Sequence, residues 1–286
     1  MKTEDGYQAI ETTVLPTVDA ITNNKMDKTN PVGTGSFSMG RKSGSLVGES
    51  SHAEGYNTVA SRNSSHAEGA NTTANGDFSH AEGGSTMAMG TYSHAEGSNA
   101  KATAEASHSE GRSTTASGKY SHAEGYNTVA GSNSSHSEGA NTTANGDFSH
   151  AEGGSTMAMG TYSHAEGFHT GAHGHYSHTE GYYTTARSNY QHSQGKYNIE
   201  DNLNKYAHIV GNGTSDSARS NAHTLDWNGV PWFQGRPQFG GTAQDNGSQT
   251  VMANGDSEII LTSTGGKKFR ITVDDSGALT ATEITT

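Results

Sequence analysis

Between Ser51 and Gly195 the chain is patterned by small, polar and charged positions, with no Leu or Ile at all. Ser-His-Ala-Glu-Gly, or a near variant, begins at Ser51 and returns every fourteen residues. Its histidines are His52, His66, His80, His94, His108, His122, His136, His150, His164, His178 and His192. Two residues on stand Glu54, Glu68, Glu82, Glu96, Glu110, Glu124, Glu138, Glu152, Glu166 and Glu180, and Gln194 takes the last place. A glycine closes every motif from Gly55 to Gly195, and an alanine lies eight residues after each His from Ala60 to Ala186. A disordered chain has no reason to hold this register, whereas a solenoid repeats its coil at a fixed period. Residues 64–97 and 134–167 are identical except for Ala67 against Ser137, a duplication of five coils that lengthens a rod.

Each unit predicts two short strands and two tight turns, with Gly or Asn-Gly as turn residues. Strand one is Ser-His-Ala-Glu-Gly and strand two is Thr-x-Ala. Side chains alternate faces along a strand. Ser and Ala of strand one, and Thr58 and Ala60 of the first strand two, are therefore expected to line a narrow interior. The outward position of strand two varies freely (Val59, Thr73, Met87, Lys101), as solvent permits. The outward face of strand one is His and Glu almost throughout, which solvent does not require. In the preceding unit, Ser36-Phe37-Ser38-Met39-Gly40, Phe and Met replace them. An apolar pair there implies a covered face, and three copies around a threefold axis would cover it. The expected fold is all-β: a homotrimeric parallel β-roll of fourteen-residue coils over 36–195. Eleven coils at the usual strand spacing make a shaft about 50 Å long.

Composition narrows the picture. Leu, Ile, Val and Phe number 31 of 286 residues, too few for a large conventional core. No apolar run approaches a membrane span, so no membrane insertion is expected. The formal charge of −12 argues against nucleic acid as partner. The chain has no Cys, which excludes disulfides and thiolate zinc sites. The N-terminus lacks a basic region followed by an apolar one, so no secretory leader is expected.

The flanks differ from the repeat. In 1–35, an attachment segment, Tyr7, Ile10, Val14, Val18 and Ile21 recur at helical spacing, interrupted by Pro16, and predict a short helix. Residues 196–286 predict a small β-rich tip. Leu225–Phe233 carries two Trp in a hairpin-like segment, and strands are expected at 258–263, 268–273 and 278–284.

The repeat resembles the head repeat of YadA-like trimeric adhesins, whose usual motif is Ser-Val-Ala-Ile-Gly; here His stands for Val and Glu for Ile. The Ser-His-Ala-Glu-Gly form, the lead-in Asn30–Gly40 and the segment Gly211–Ala222 are similar to tail-fibre and receptor-binding chains of bacteriophages and prophages. That resemblance implies a left-handed roll, trimerisation, and a virion fibre that is extracellular when assembled. Its partners would be a baseplate or another fibre protein at the N-terminus, and a host-surface glycan or protein at the far end. The expected function is adhesive and non-enzymatic, with no cofactor. The alternatives are an adhesin displayed by a bacterium, a polysaccharide-degrading tailspike and an ice-binding solenoid.

Candidate chemistry follows the ladders. His is expected to donate to Glu of a neighbouring chain, since carboxylates without partners are costly in an interface. Metal at the axis would need open ligand geometry at every level, so structure is preferred. His173 and His175, in a turn, are the other metal candidates, read first as a surface pair. Ser, His and Glu recur everywhere but do not converge as a triad. Aromatics two residues before His (Phe78, Tyr92, Tyr120, Phe148, Tyr162, Tyr176, Tyr190) predict a stack at one corner. That stack reads as a protomer seam or turn cover, or else as a platform for sugars. The receptor-binding candidates are Phe168, Tyr182, Tyr183, Tyr190, Tyr197, Trp227 and Trp232.

Overall fold

The computed structural model describes residues 36–235, 251–252, 259–273 and 276–284. The expected N-terminal helix lies outside them. The described elements are all strands. They fall in two units that divide between Val230 and Pro231.

The first unit is the solenoid. One coil shows its logic: His108–Arg112 forms strand one, Thr115–Ala116 strand two, and His122 begins the next coil. Successive coils pair in parallel and in register, His108 with His122, Glu110 with Glu124 and Gly111 with Gly125. The second sheet pairs Thr115 with Val129 and Ala116 with Ala130. The lead-in joins the same ladder, with Phe37 opposite His52 and Met39 opposite Glu54.

The interior is as narrow as the small residues require. The alanines of both strands are buried from end to end, as are Ser51, Ser65 and their equivalents and the Thr column from Thr58 to Thr184. The motif serine also closes the turn before it: Ser107 Oγ donates to the Ala104 carbonyl at 2.7 Å and Ser121 Oγ to the Gly118 carbonyl at 2.6 Å. Where the motif reads Ser-His-Ser-Glu-Gly, the extra hydroxyl meets the Thr column, Ser109 to Thr114 at 2.8 Å and Ser137 to Thr142 at 2.7 Å. With so little apolar volume, the coil-to-coil backbone hydrogen bonds carry much of the cohesion.

The corners bend by left-handed residues seven apart, such as Ser113 (φ 59°) and Tyr120 (φ 58°). The motif glycine is required for another reason. Gly111 has φ +105°, and a Cβ there would stand 2.3 Å from the Gly125 carbonyl oxygen.

The ladder continues past Gly195. Tyr206–Asn212 pairs in parallel with the last motif, placing His208 beside His192 and Gly211 beside Gly195 after a coil of sixteen residues. Amide side chains take over where regular coils stop. Asn198 accepts from the Thr185 N–H at 2.7 Å and donates to the Thr185 carbonyl at 2.9 Å, as a further strand would. Gln191, fully buried, donates to the Asp201 carboxylate and to the Tyr206 carbonyl. Asn221–Asp226 then pairs antiparallel with Tyr206–Asn212.

In the second unit four antiparallel strands follow in chain order: Val251–Met252, Ile259–Thr262, Lys268–Val273 and Leu279–Ile284. The last three coincide closely with the strands expected from the sequence.

Candidate functional site

The uniform face of strand one forms two columns. The imidazoles stack ring on ring, with centroids 4.8 Å apart between His80 and His94 and between His94 and His108, and nearly parallel planes. Beside them run the carboxylates. Within a single chain the imidazoles already approach carboxylates, in two senses, and among the described residues His52 and His136 reach hydrogen-bond geometry. His52, His66, His80 and His94 each face the Glu of their own coil, with Nε2 to carboxylate distances of 3.2–3.7 Å. From His122 to His192 each faces the Glu of the coil before, at 3.2–3.9 Å. The sense changes at His108, which alone in the column from His52 to His192 has no carboxylate within 4.0 Å among the described residues; its Nε2, like most in the column, is shielded from solvent. Gln194 replaces the eleventh Glu and meets His208 at 3.3 Å.

The charge state follows from this stacking. Burial, then the neighbouring imidazoles, hold His80, His108, His136, His164 and His192 below the usual histidine range. A hydrogen bond shared with Glu110 holds the Glu124 carboxyl below its usual range. Both side chains remain about a third exposed, as at His122 (34%) and Glu110 (31%). Around the change of sense a shallow open depression of about 470 Å³ is lined by Glu82, Glu96, Glu110 and Glu124. Groups such as His108, Glu110 and His122 bring possible ligand atoms within 4.8 Å of one another, a donor set that borderline divalent metals accept. The same atoms serve the His–Glu pairs.

His173 and His175 are engaged separately. His175 Nδ1 accepts from the Thr161 N–H at 3.1 Å, which ties the ring to the coil before. Burial, then the Arg187 charge, lowers the pKa of His173.

Two aromatic columns mark the corners. The expected stack two residues before His is present in two runs: Phe78 on Tyr92, and Phe148, Tyr162, Tyr176 and Tyr190 in succession. Tyr120 stands between the runs, separated from each by a coil carrying Ala106 or Ser134 in the aromatic position. All these aromatics have positive φ, 56–60°.

At the other corner the structure brings together Phe168, Tyr182, Tyr183 and Tyr197. Phe168 stacks on Tyr182 at 5.5 Å and Tyr183 on Tyr197 at 4.8 Å. Sequence reasoning missed one member, Arg219. His169 stacks on Tyr183 at 4.4 Å, and Arg219 lies 5.9 Å from the Tyr197 ring while donating to the Tyr183 carbonyl. Arg219 lies beyond the fourteen-residue period, which left no signal for it. Tyr190 belongs to the other column. Trp227 and Trp232 are about half exposed, one in each unit.

Residues 67–93, 81–100 and 137–163 match the family model described as the YadA head domain repeat (2 copies). No curated protein matches the chain.

Proposed function

We propose that this chain, a β-solenoid built on YadA head repeats, is a non-enzymatic homotrimeric fibre. On this reading it belongs to a phage or phage-derived particle, is extracellular on the virion, and joins an N-terminal partner in a baseplate or another fibre protein to a host-surface receptor, a glycan first. One observation carries the reading. The motif Ser and Ala and the alanine of strand two are buried, whereas His and Glu, equally uniform, stay a third exposed on one chain. A constraint that solvent does not impose implies a partner surface, and the half-open ladder suits second and third copies.

The ladder's repetition supports a structural role, because a catalytic centre sets one level apart from its neighbours. Three copies would also multiply weak contacts into avidity. A bacterial surface adhesin shares the repeat; the phage reading is favoured by the Ser-His-Ala-Glu-Gly form of the motif. Native mass spectrometry is the test. The expected species is a trimer of 29.8 kDa chains. A stable monomer would remove the covered-face argument and the fibre with it.

A further inference from the structure

On the adhesive reading above, we infer that the gaps in the corner column at Ala106 and Ser134 are binding slots for single pyranose rings, selective for terminal or branching sugars. Tyr120, between them, is the reason. It is 62% exposed, holds a left-handed backbone (φ 58°), and has no ring stacked on either face among the described residues. Left-handed conformation is the natural place of Gly or Asn, as at Asn99 and Asn127 on the other corner. A bulky residue kept there implies a use for the ring. Stacking supplies that use for Phe78, Tyr92, Phe148, Tyr162, Tyr176 and Tyr190, but not for Tyr120.

The slots have the dimensions of a ligand. Tyr92 and Tyr120 are two coils apart, as are Tyr120 and Phe148, a separation of roughly 9.6 Å from the strand spacing. That height admits one saturated six-membered ring with both faces in contact at about 3.5–4.0 Å. The electron-rich faces above and below attract the polarised C–H groups of a sugar. Polar groups stand at the rim. Glu105, beside Ala106 in the first slot's own coil, pairs at 3.0 Å with Lys119 of the Tyr120 coil, and Asp147 Oδ1 accepts from the Asn133 N–H at 3.0 Å beside the second. Together they offer donors and acceptors to ring hydroxyls.

Orientation sets the selectivity. The stacked rings face one another along the column, so a sugar ring enters a slot from the side. A glycan chain lying along the shaft cannot turn an internal ring into that plane, but a terminal or branching residue can.

The test uses the full chain with methyl β-galactopyranoside, methyl β-glucopyranoside and N-acetylglucosamine in saturation-transfer NMR. The variant Ala106→Tyr/Ser134→Phe fills both slots with residues that other coils already carry in this conformation. We expect transfer to the ring C–H groups of at least one probe. In the filled variant affinity should fall at least tenfold, at an unchanged or higher Tm and unchanged oligomeric state. Binding that persists in the filled variant overturns the slots and leaves the adhesive reading intact. So does a wild-type chain that contacts no probe yet, fluorescently labelled, still coats cells. A chain that binds neither probes nor cells removes both. Tyr120→Ala should keep the oligomer; dissociation would reassign the column to the seam between protomers and overturn the slots.

Discussion

At the scale of single residues, the interior has room for little more than a methyl group, and the chain itself shows what it tolerates. Ser109 and Ser137 replace the motif alanine and place a hydroxyl on Thr114 and Thr142. In the next coil Ala123 is fully buried and the Thr128 hydroxyl has no partner. Ala123→Ser should therefore leave Tm unchanged or raise it, against the usual cost of a buried hydroxyl. Ala123→Val should lower stability by about 1–3 kcal/mol through overpacking. Thermal melts of the two variants separate these outcomes, and a serine variant melting below the valine one would refute the hydroxyl pairing. Gly111→Ala combines a left-handed φ with a Cβ 2.3 Å from a carbonyl oxygen. It should cost about 2–4 kcal/mol or block folding, read by the same melts or by soluble yield. Alternation made the inward Ser, Ala and Thr legible from the sequence. The serine's bond across the turn was not legible, because it depends on a carbonyl direction that spacing does not encode. Nor were the left-handed aromatics, since Phe and Tyr normally argue against that conformation.

At the scale of the element, the ladder makes stability depend on acidity. Five imidazoles from His80 to His192 are held below the ordinary value of 6.5 by burial and then by one another. The unfolded chain therefore binds more protons than the folded one as pH drops below 6.5, and folding loses stability in that direction. Glu124, held below 4.5, adds a loss of the same sign at lower pH. Tm should be level from pH 8 to about 6.5 and fall beneath it; circular dichroism melts across pH 8 to 4 check this, and a flat profile would contradict the stacking. The two columns were legible as a face. Their pairing senses were not, because each interior His has two equivalent carboxylates within reach and periodicity cannot choose between them.

At the scale of the whole molecule, a solenoid tolerates changes made in complete coils. Removing 64–133 joins Asn63 to Ser134, where Asn133 stood before. The shortened chain should fold with a shaft about 24 Å shorter, by strand spacing, and a Tm within a few degrees of the parent. Small-angle scattering gives the length, and aggregation of this variant would show that coils are not interchangeable. The fourteen-residue count read the shaft correctly but stopped at Gly195. Tyr206–Asn212 joins after a coil of sixteen, and its Ala-His-Ile-Val-Gly keeps the motif's shape with other residues.

The change of pairing sense at His108 has an arithmetic origin. From His52 to His192 there are eleven imidazoles, and the replacement of the last Glu by Gln194 leaves ten carboxylates. One ring must be odd. If every ring chose its own coil, the odd one would be His192; if every ring chose the coil before, it would be His52. The ladder is thus a one-dimensional array with two ground states, and His108 is the wall between them. Chemically alike levels pin such a wall weakly, so shifting it by one coil exchanges a single contact. The solenoid therefore carries a movable defect along an otherwise fixed lattice, present by count rather than by any special residue.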